Sequence, residues 1–144
     1  KEGEFLEYAQ VHGNWYATSR TWLAGQVAAG QDVMLEIDWQ GAAQVRRLIP
    51  DSVHVFILPP SLPVLKERLE MRGQDAPGVI ARRLEGARDE MRHWAEFDYV
   101  IINQDFATAV DDITAIVRAA RLKATRQGAR HVRLMQELLE SPDP

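Results

Sequence analysis

"MLEIDWQG", residues 34–41, is the stretch on which the fold turns. Val33, Met34, Leu35 and Ile37 are the apolar content of a buried strand, so Val33 to Asp38 is expected to be one. Yet Glu36 and Asp38 stand two apart at its end. Residues two apart on a strand point to the same face. Unpaired buried charge is costly, so something polar has to meet them.

Working outward, "GAAQVRRLIP" (41–50) reads as a short helix stopped by Pro50. "SVHVFILPP" (52–60) supplies a second strand, rich in β-branched and large apolar residues and ended by Pro59 and Pro60. Ser61 caps a helix through "LPVLKERLEM" with Gly73 as its stop. After the polar "GQDAPG" (73–78), a charged helix is expected from about Val79 to Trp94, and "DYVIIN" (98–103) is a third strand. Asp105 precedes a last helical stretch with an interruption expected at Gly128, and "SPDP" reads as a frayed end. Upstream, Glu2 to Val11 places Phe5, Leu6, Tyr8 and Ala9 like one helical face. "HGNWYATS" (12–19) turns at Gly13-Asn14 into a short extended piece, and Ser19 caps a helix closed by Gly30. Strands alternating with helices imply βαβ units: an α/β chain with a parallel sheet flanked by helices. Ligands of such sheets bind beyond the carboxyl ends of the strands, where the two acids lie.

The bulk properties narrow the field. A chain of 144 residues fits one domain or part of a larger one and can bury a sizeable core. Its net charge of −4 gives no general reason to bind nucleic acid or an anionic membrane. Without cysteine there are no disulfides or thiolate metal sites. The apolar runs are too short to span a bilayer, and no charged-then-apolar leader opens the chain. The expectation is a soluble cytoplasmic protein, with self-association left open. The absence of an initiator Met suggests a fragment or a processed chain.

Three groups of residues can carry chemistry. Glu36 and Asp38 serve equally well as helix caps or salt-bridge partners, or as acceptors for the paired N–H donors of a base edge, such as guanine N1–H and its N2 amino group. Glu7 is a second candidate acceptor, against a simple solvated charge. Tyr16, Thr18 and Ser19 offer hydroxyls to a phosphate or a purine carbonyl, against ordinary turn hydroxyls. Arg68 and Arg72 share a helix face four residues apart, and Arg82 and Arg83 follow the Gly/Pro-containing segment. Such arginines can close over phosphates, or simply be solvated. "GQVAAGQD" (25–32) has the glycine spacing of a phosphate loop, but Gln31-Asp32 replaces the Lys-Ser/Thr that such a loop needs. The four histidines lack metal-ligand spacing. The six Lys/Arg between Arg118 and Arg133 fit a solvated helix face.

Taken in order, "GEFLEYAQVHGNWYATS", "LEIDWQGA", "FILPPS", "LKERLEMRGQD", "IARRL" and "DYVIINQDF" resemble the guanylate kinase family from Gly3 to about Arg121. The resemblance implies a P-loop NTPase fold with GMP-binding and lid subdomains, its N-terminal phosphate-loop part missing here. The implied division is 1–31 for GMP binding and the return to the core, 32–66 core, 67–92 lid, and 93–144 core and C-terminal helices. The implied reaction moves the γ-phosphoryl of MgATP to GMP, with Mg²⁺ arriving alongside ATP. By motif position, Glu7 and Asp38 would read guanine N1–H and N2, Thr18 would face O6, and Tyr16 would hold the GMP phosphate. Glu36 would stand on the phosphate side, where Asp is often found. Arg68, Arg72 and Arg83 would neutralise phosphate charge, and Asn103 would lie by the adenine of ATP. Without the phosphate loop the chain is expected to be inactive alone. The rival is a guanylate-kinase-like module that binds phosphorylated protein segments.

Overall fold

The computed structural model describes residues 3–11, 13–73 and 77–140. Glu2, His12, part of the "GQDAPG" segment (74–76) and the closing "SPDP" lie outside these. The chain divides into two compact units, Lys1–Ile102 and Asn103–Pro144.

The first unit opens with a hairpin. Strand β1 (Phe5–Val11) pairs antiparallel with β2 (Asn14–Ser19), and Gly13 between them has a φ of 86° that only glycine adopts freely. The expected first helix is therefore a strand. Its periodicity misleads because Glu7 occupies a position in the period-2 series Glu7, Ala9, Val11 where an apolar residue would have signalled a strand. A bulge between Phe5 and Glu7 adds a further break: Leu6 and Glu7 are neighbours in sequence and both are buried.

Helix α1 (Arg20–Ala28) begins where expected, with the Ser19 side chain accepting from the Trp22 N–H at 3.3 Å, and ends before Gly30 at φ 78°. Residues 31–38 form no sheet ladder among the described residues, so the strand expected at Val33–Asp38 is not observed. A strand is defined by its paired neighbour, and an apolar run alone does not supply one. Val33, Leu35 and Ile37 nevertheless pack inward, with Ile49, on a core cluster of Leu6, Leu23 and Val45. Helix α2 (Trp39–Leu48) starts two residues earlier than the sequence pattern, because Asp38 caps it.

The parallel sheet consists of β3 (Val55–Leu58) and β4 (Tyr99–Ile102), paired from Val55↔Tyr99 to Leu58↔Ile102. Asp98 fixes their entry: its Oδ2 accepts the His54 N–H at 2.8 Å, and its own N–H donates to the His54 carbonyl at 3.0 Å. Between the strands run α3 (Leu62–Met71), capped by Ser61 and followed by Gly73 at φ 63°, and α4 (Pro77–Met91). A 3₁₀ turn over Arg92–Glu96 leads into β4. Parallel strands joined through helices are the α/β class expected from the sequence.

The second unit holds α5 (Phe106–Arg121), α6 (Ala124–Arg130) and α7 (Val132–Glu140). The breaks fall at residues 122–123 and at His131, and Gly128 lies inside α6. Side chains explain the first break. Arg126 Nη1 donates to the Ala120 carbonyl at 3.2 Å and Gln127 Nε2 to that of Arg121 at 2.8 Å. They add side-chain donors to carbonyls at the end of α5. Among the described residues, no helix is long and apolar enough to cross a membrane.

Candidate functional site

Strand register assembles the first wall of the site. Glu7 stands opposite Thr18, and Ala9 opposite Tyr16, so these side chains share one face of the hairpin. Thr18 Oγ1 donates to Glu7 Oε1 at 2.6 Å. Glu7 is only 2 % exposed, the most buried large side chain among the described residues. An ionised carboxylate has more acceptor capacity than one hydroxyl uses. It therefore has acceptor positions left for a ligand.

The second wall is the segment leading into α2. Glu7, Ala9, Val11 and Tyr16 face Glu36, Ile37 and Asp38 around a cavity of about 170 Å³. Glu36 is exposed and Tyr16 is 58 % exposed, so both stand at the solvent side. Asp38 Oδ1 accepts the Gly41 N–H at 2.9 Å and its Oδ2 accepts from Gln40 Nε2 at 2.9 Å. The capping role that the sequence left open for this acid is thus filled. The cap also fixes the carboxylate at the cavity wall.

Two residues that sequence reasoning passed over hold the walls together. Gln44, on α2, accepts the Tyr8 N–H at 3.2 Å and donates to the Tyr8 carbonyl at 2.8 Å. One carboxamide thus pairs both backbone groups of a β1 residue, as a neighbouring strand would. Its signal in the sequence was slight: a glutamine one helical turn from Gln40. The other residue is Gly41, buried in the first turn of α2 with the Glu7 carboxylate against it. Trp39, next to Asp38, stacks on His93 with ring centroids 3.7 Å apart and planes 6° apart, tying the start of α2 to the turn after α4.

Behind α2, Ser52 donates its single proton to the Ile49 carbonyl at 2.6 Å, so its oxygen accepts from His54 Nε2–H at 2.8 Å. His54 is buried, and its pKa is lowered chiefly by that burial and also by the Arg46 charge, against the opposing pull of Asp98. Asp105 has a lowered pKa because its carboxylate accepts from the Thr108 backbone N–H and hydroxyl at the start of α5.

The arginines lie elsewhere. Arg68 is in the last turn of α3, exposed Arg72 follows as its C-cap, and Arg83 is on α4, which packs against α3. None of the three lines the cavity between the hairpin and α2. Asn103 belongs to the second unit, just before α5. Among the described residues, no group of three or more His, Asp or Glu is placed to hold a metal ion.

Fold and site together define an α/β chain with a two-walled cavity whose polar lining is mainly carboxylate. Residues 1–120 match the family model described as guanylate kinase. The chain is 62% identical over 130 residues to a guanylate kinase of Aromatoleum aromaticum, covering 90% of this chain and 64% of that protein. It is 58% identical over 136 residues to one from Dechloromonas aromatica, covering 94% and 67%. It also superposes on the crystal structure of guanylate kinase from Anaplasma phagocytophilum with a TM-score of 0.76 at 36% identity, covering 94% of this chain and 65% of that one. The chain belongs to the guanylate kinase family. It spans about two-thirds of the length of these relatives.

Proposed function

We propose that this chain carries the GMP-binding and lid parts of a guanylate kinase, which transfers the γ-phosphoryl of MgATP to GMP to give ADP and GDP. The observation that carries the reading is the convergence of Glu7, Tyr16, Glu36 and Asp38 on one cavity, with Thr18 bonded to Glu7. Guanine presents donors at N1 and N2 and an acceptor at O6. Ionised carboxylates only accept, so Glu7 and Asp38 suit the donor edge and oppose the N1 acceptor of adenine. Entry of guanine exchanges partners and leaves none unmatched. Glu7 accepts from N1–H, and the Thr18 proton turns from Glu7 to O6.

Tyr16, at the open side, donates its phenol to the GMP phosphate. Glu36 serves the phosphate side, where one carboxylate with nucleotide oxygens suffices for a Mg²⁺ that arrives as MgATP. Arg68, Arg72 and Arg83 belong to the lid (67–92) and neutralise charge during transfer, and Asn103 meets the adenine of ATP. Residues 1–31 form the GMP part, and 32–66 with 93–144 the core. Phosphoryl transfer depends on positioning and charge neutralisation, with no covalent group required. Substrates of this kind fit a cytoplasmic enzyme.

Calorimetric titration of GMP and AMP into the 144-residue polypeptide tests the reading. GMP is expected to bind about tenfold more tightly or better; equal affinities, or no binding of either, overturn it. A phosphoserine peptide bound in preference to GMP marks the non-catalytic protein-binding module instead. No GxxxxGK[ST] sequence occurs in the 144 residues, so this polypeptide by itself is expected to form no GDP from ATP and GMP.

A further inference from the structure

We infer that Gly41 is a positioning residue for GMP recognition: it leaves the room in which the Glu7 carboxylate is held. The inference rests on the reading of Glu7 as the guanine acceptor. Gly41 lies in the first turn of α2, is buried, and is not among the glycines with positive φ. Its backbone therefore asks for nothing that alanine cannot supply, and glycine within a helix is less stable than alanine. The requirement for glycine is spatial. A Cβ at position 41 would lie 2.7 Å from Glu7 Oε2, 3.4 Å from Glu7 Cδ and 3.3 Å from Ile37 Cβ.

With a methyl group there, something has to yield, and most of the neighbours are fixed. Ile37 packs on the core cluster of Leu6, Leu23 and Val45. Strand β1 cannot withdraw without breaking the double hydrogen bond between Gln44 and Tyr8. The carboxylate is the piece able to move. It lines the cavity and holds a 2.6 Å bond with Thr18, so any shift away from α2 disturbs both. Gly41→Ala then fills the space meant for guanine and misaims the acceptors, while the fold gains a better helix former.

A double-mutant cycle read by GMP titration tests this. Gly41→Ala is expected to weaken GMP binding about tenfold while the melting temperature stays within about 3 °C of the native value. In a Glu7→Ala background, where no carboxylate remains to be displaced, adding Gly41→Ala is expected to change GMP affinity less than about twofold. Equal losses in both backgrounds, or none in the native one, overturn the inference. Failure of Gly41→Ala to fold also overturns it, because the carboxylate would then not be the piece that yields. Absence of any GMP preference in the native chain defeats the underlying reading instead, so the two failures are distinguishable.

Discussion

The wall formed by the hairpin with α2 and the pair α3–α4 are built differently. In the first, Leu6, Glu7, Ala9, Ala42 and Val45 are all buried, and the Gln44 clamp on Tyr8 fixes strand against helix. In the second, α3 buries no residue and α4 buries Ile80 as its one fully inward apolar side chain among those described. The cavity between α3 and α4, about 260 Å³, is walled by Leu62, Pro63, Lys66, Leu84 and Arg88 and is not packed shut. A region with few buried contacts opens at low free energy, and lids are drawn from such regions. The hairpin wall, for which base reading is proposed, is closely packed, whereas the arginine-bearing helices bury little.

The largest expected effect probes the preformed side. Asn caps helices about as well as Asp, so Asp38→Asn keeps the bond to the Gly41 N–H. Exposed Gln40 can rotate its amide to meet the new donor. On the proposed reading, the variant loses charge and one acceptor toward guanine, leaving a desolvated guanine donor unmatched at a cost of roughly 1–3 kcal/mol. GMP affinity is expected to fall by roughly one to two orders of magnitude and the GMP/AMP ratio to narrow, with an unchanged melting curve. An unchanged GMP/AMP ratio would reduce Asp38 to a cap.

The second test addresses the contrast directly. Amides from Arg82 to Arg88 in α4 and from Ala43 to Leu48 in α2 sit in comparable helix interiors, so hydrogen exchange compares like with like. Without nucleotide, the α4 set is expected to exchange at least about tenfold faster. Equal protection would mean that α4 is no more mobile than α2.

Local chemistry decided what could be read in advance. Helices α1 and α3 were legible because Ser19 and Ser61 announce their starts and Gly30 and Gly73 their ends. These signals lie within a few residues of what they control. The acids at 36 and 38 line one cavity with Glu7 and Tyr16, although the strand that was to place them on one face is not formed. Strand β1 was missed because the candidate guanine-reading residue itself interrupts the apolar alternation. The clamp of Gln44 on Tyr8 joins residues 36 apart, and the clash that reserves position 41 joins helix to strand. Neither leaves a periodic trace. The break after Arg121 depends on Arg126 and Gln127 reaching back six residues, which no glycine or proline marks.

The smallest expected effect concerns the support behind α2, where His54 links Ser52 to the start of the parallel pair. Burial and the Arg46 charge hold its pKa below the ordinary value, so the folded state keeps it neutral where the unfolded chain would bind a proton. The unfolded state then takes up more protons, and stability rises with pH across that window. This contribution is present above the ordinary histidine pKa of about 6.5. It is lost as pH falls from there through the lower, folded value. The Nε2 proton is already committed to Ser52, so acid adds its proton at Nδ1, in a buried site that Arg46 makes less favourable for positive charge. Melting curves between neutral pH and mildly acid pH are expected to show a modest fall for the native chain and a shallower one for His54→Gln, whatever the absolute stability of that variant. Parallel slopes would show that the acid sensitivity of this region lies in its carboxylates and not in His54.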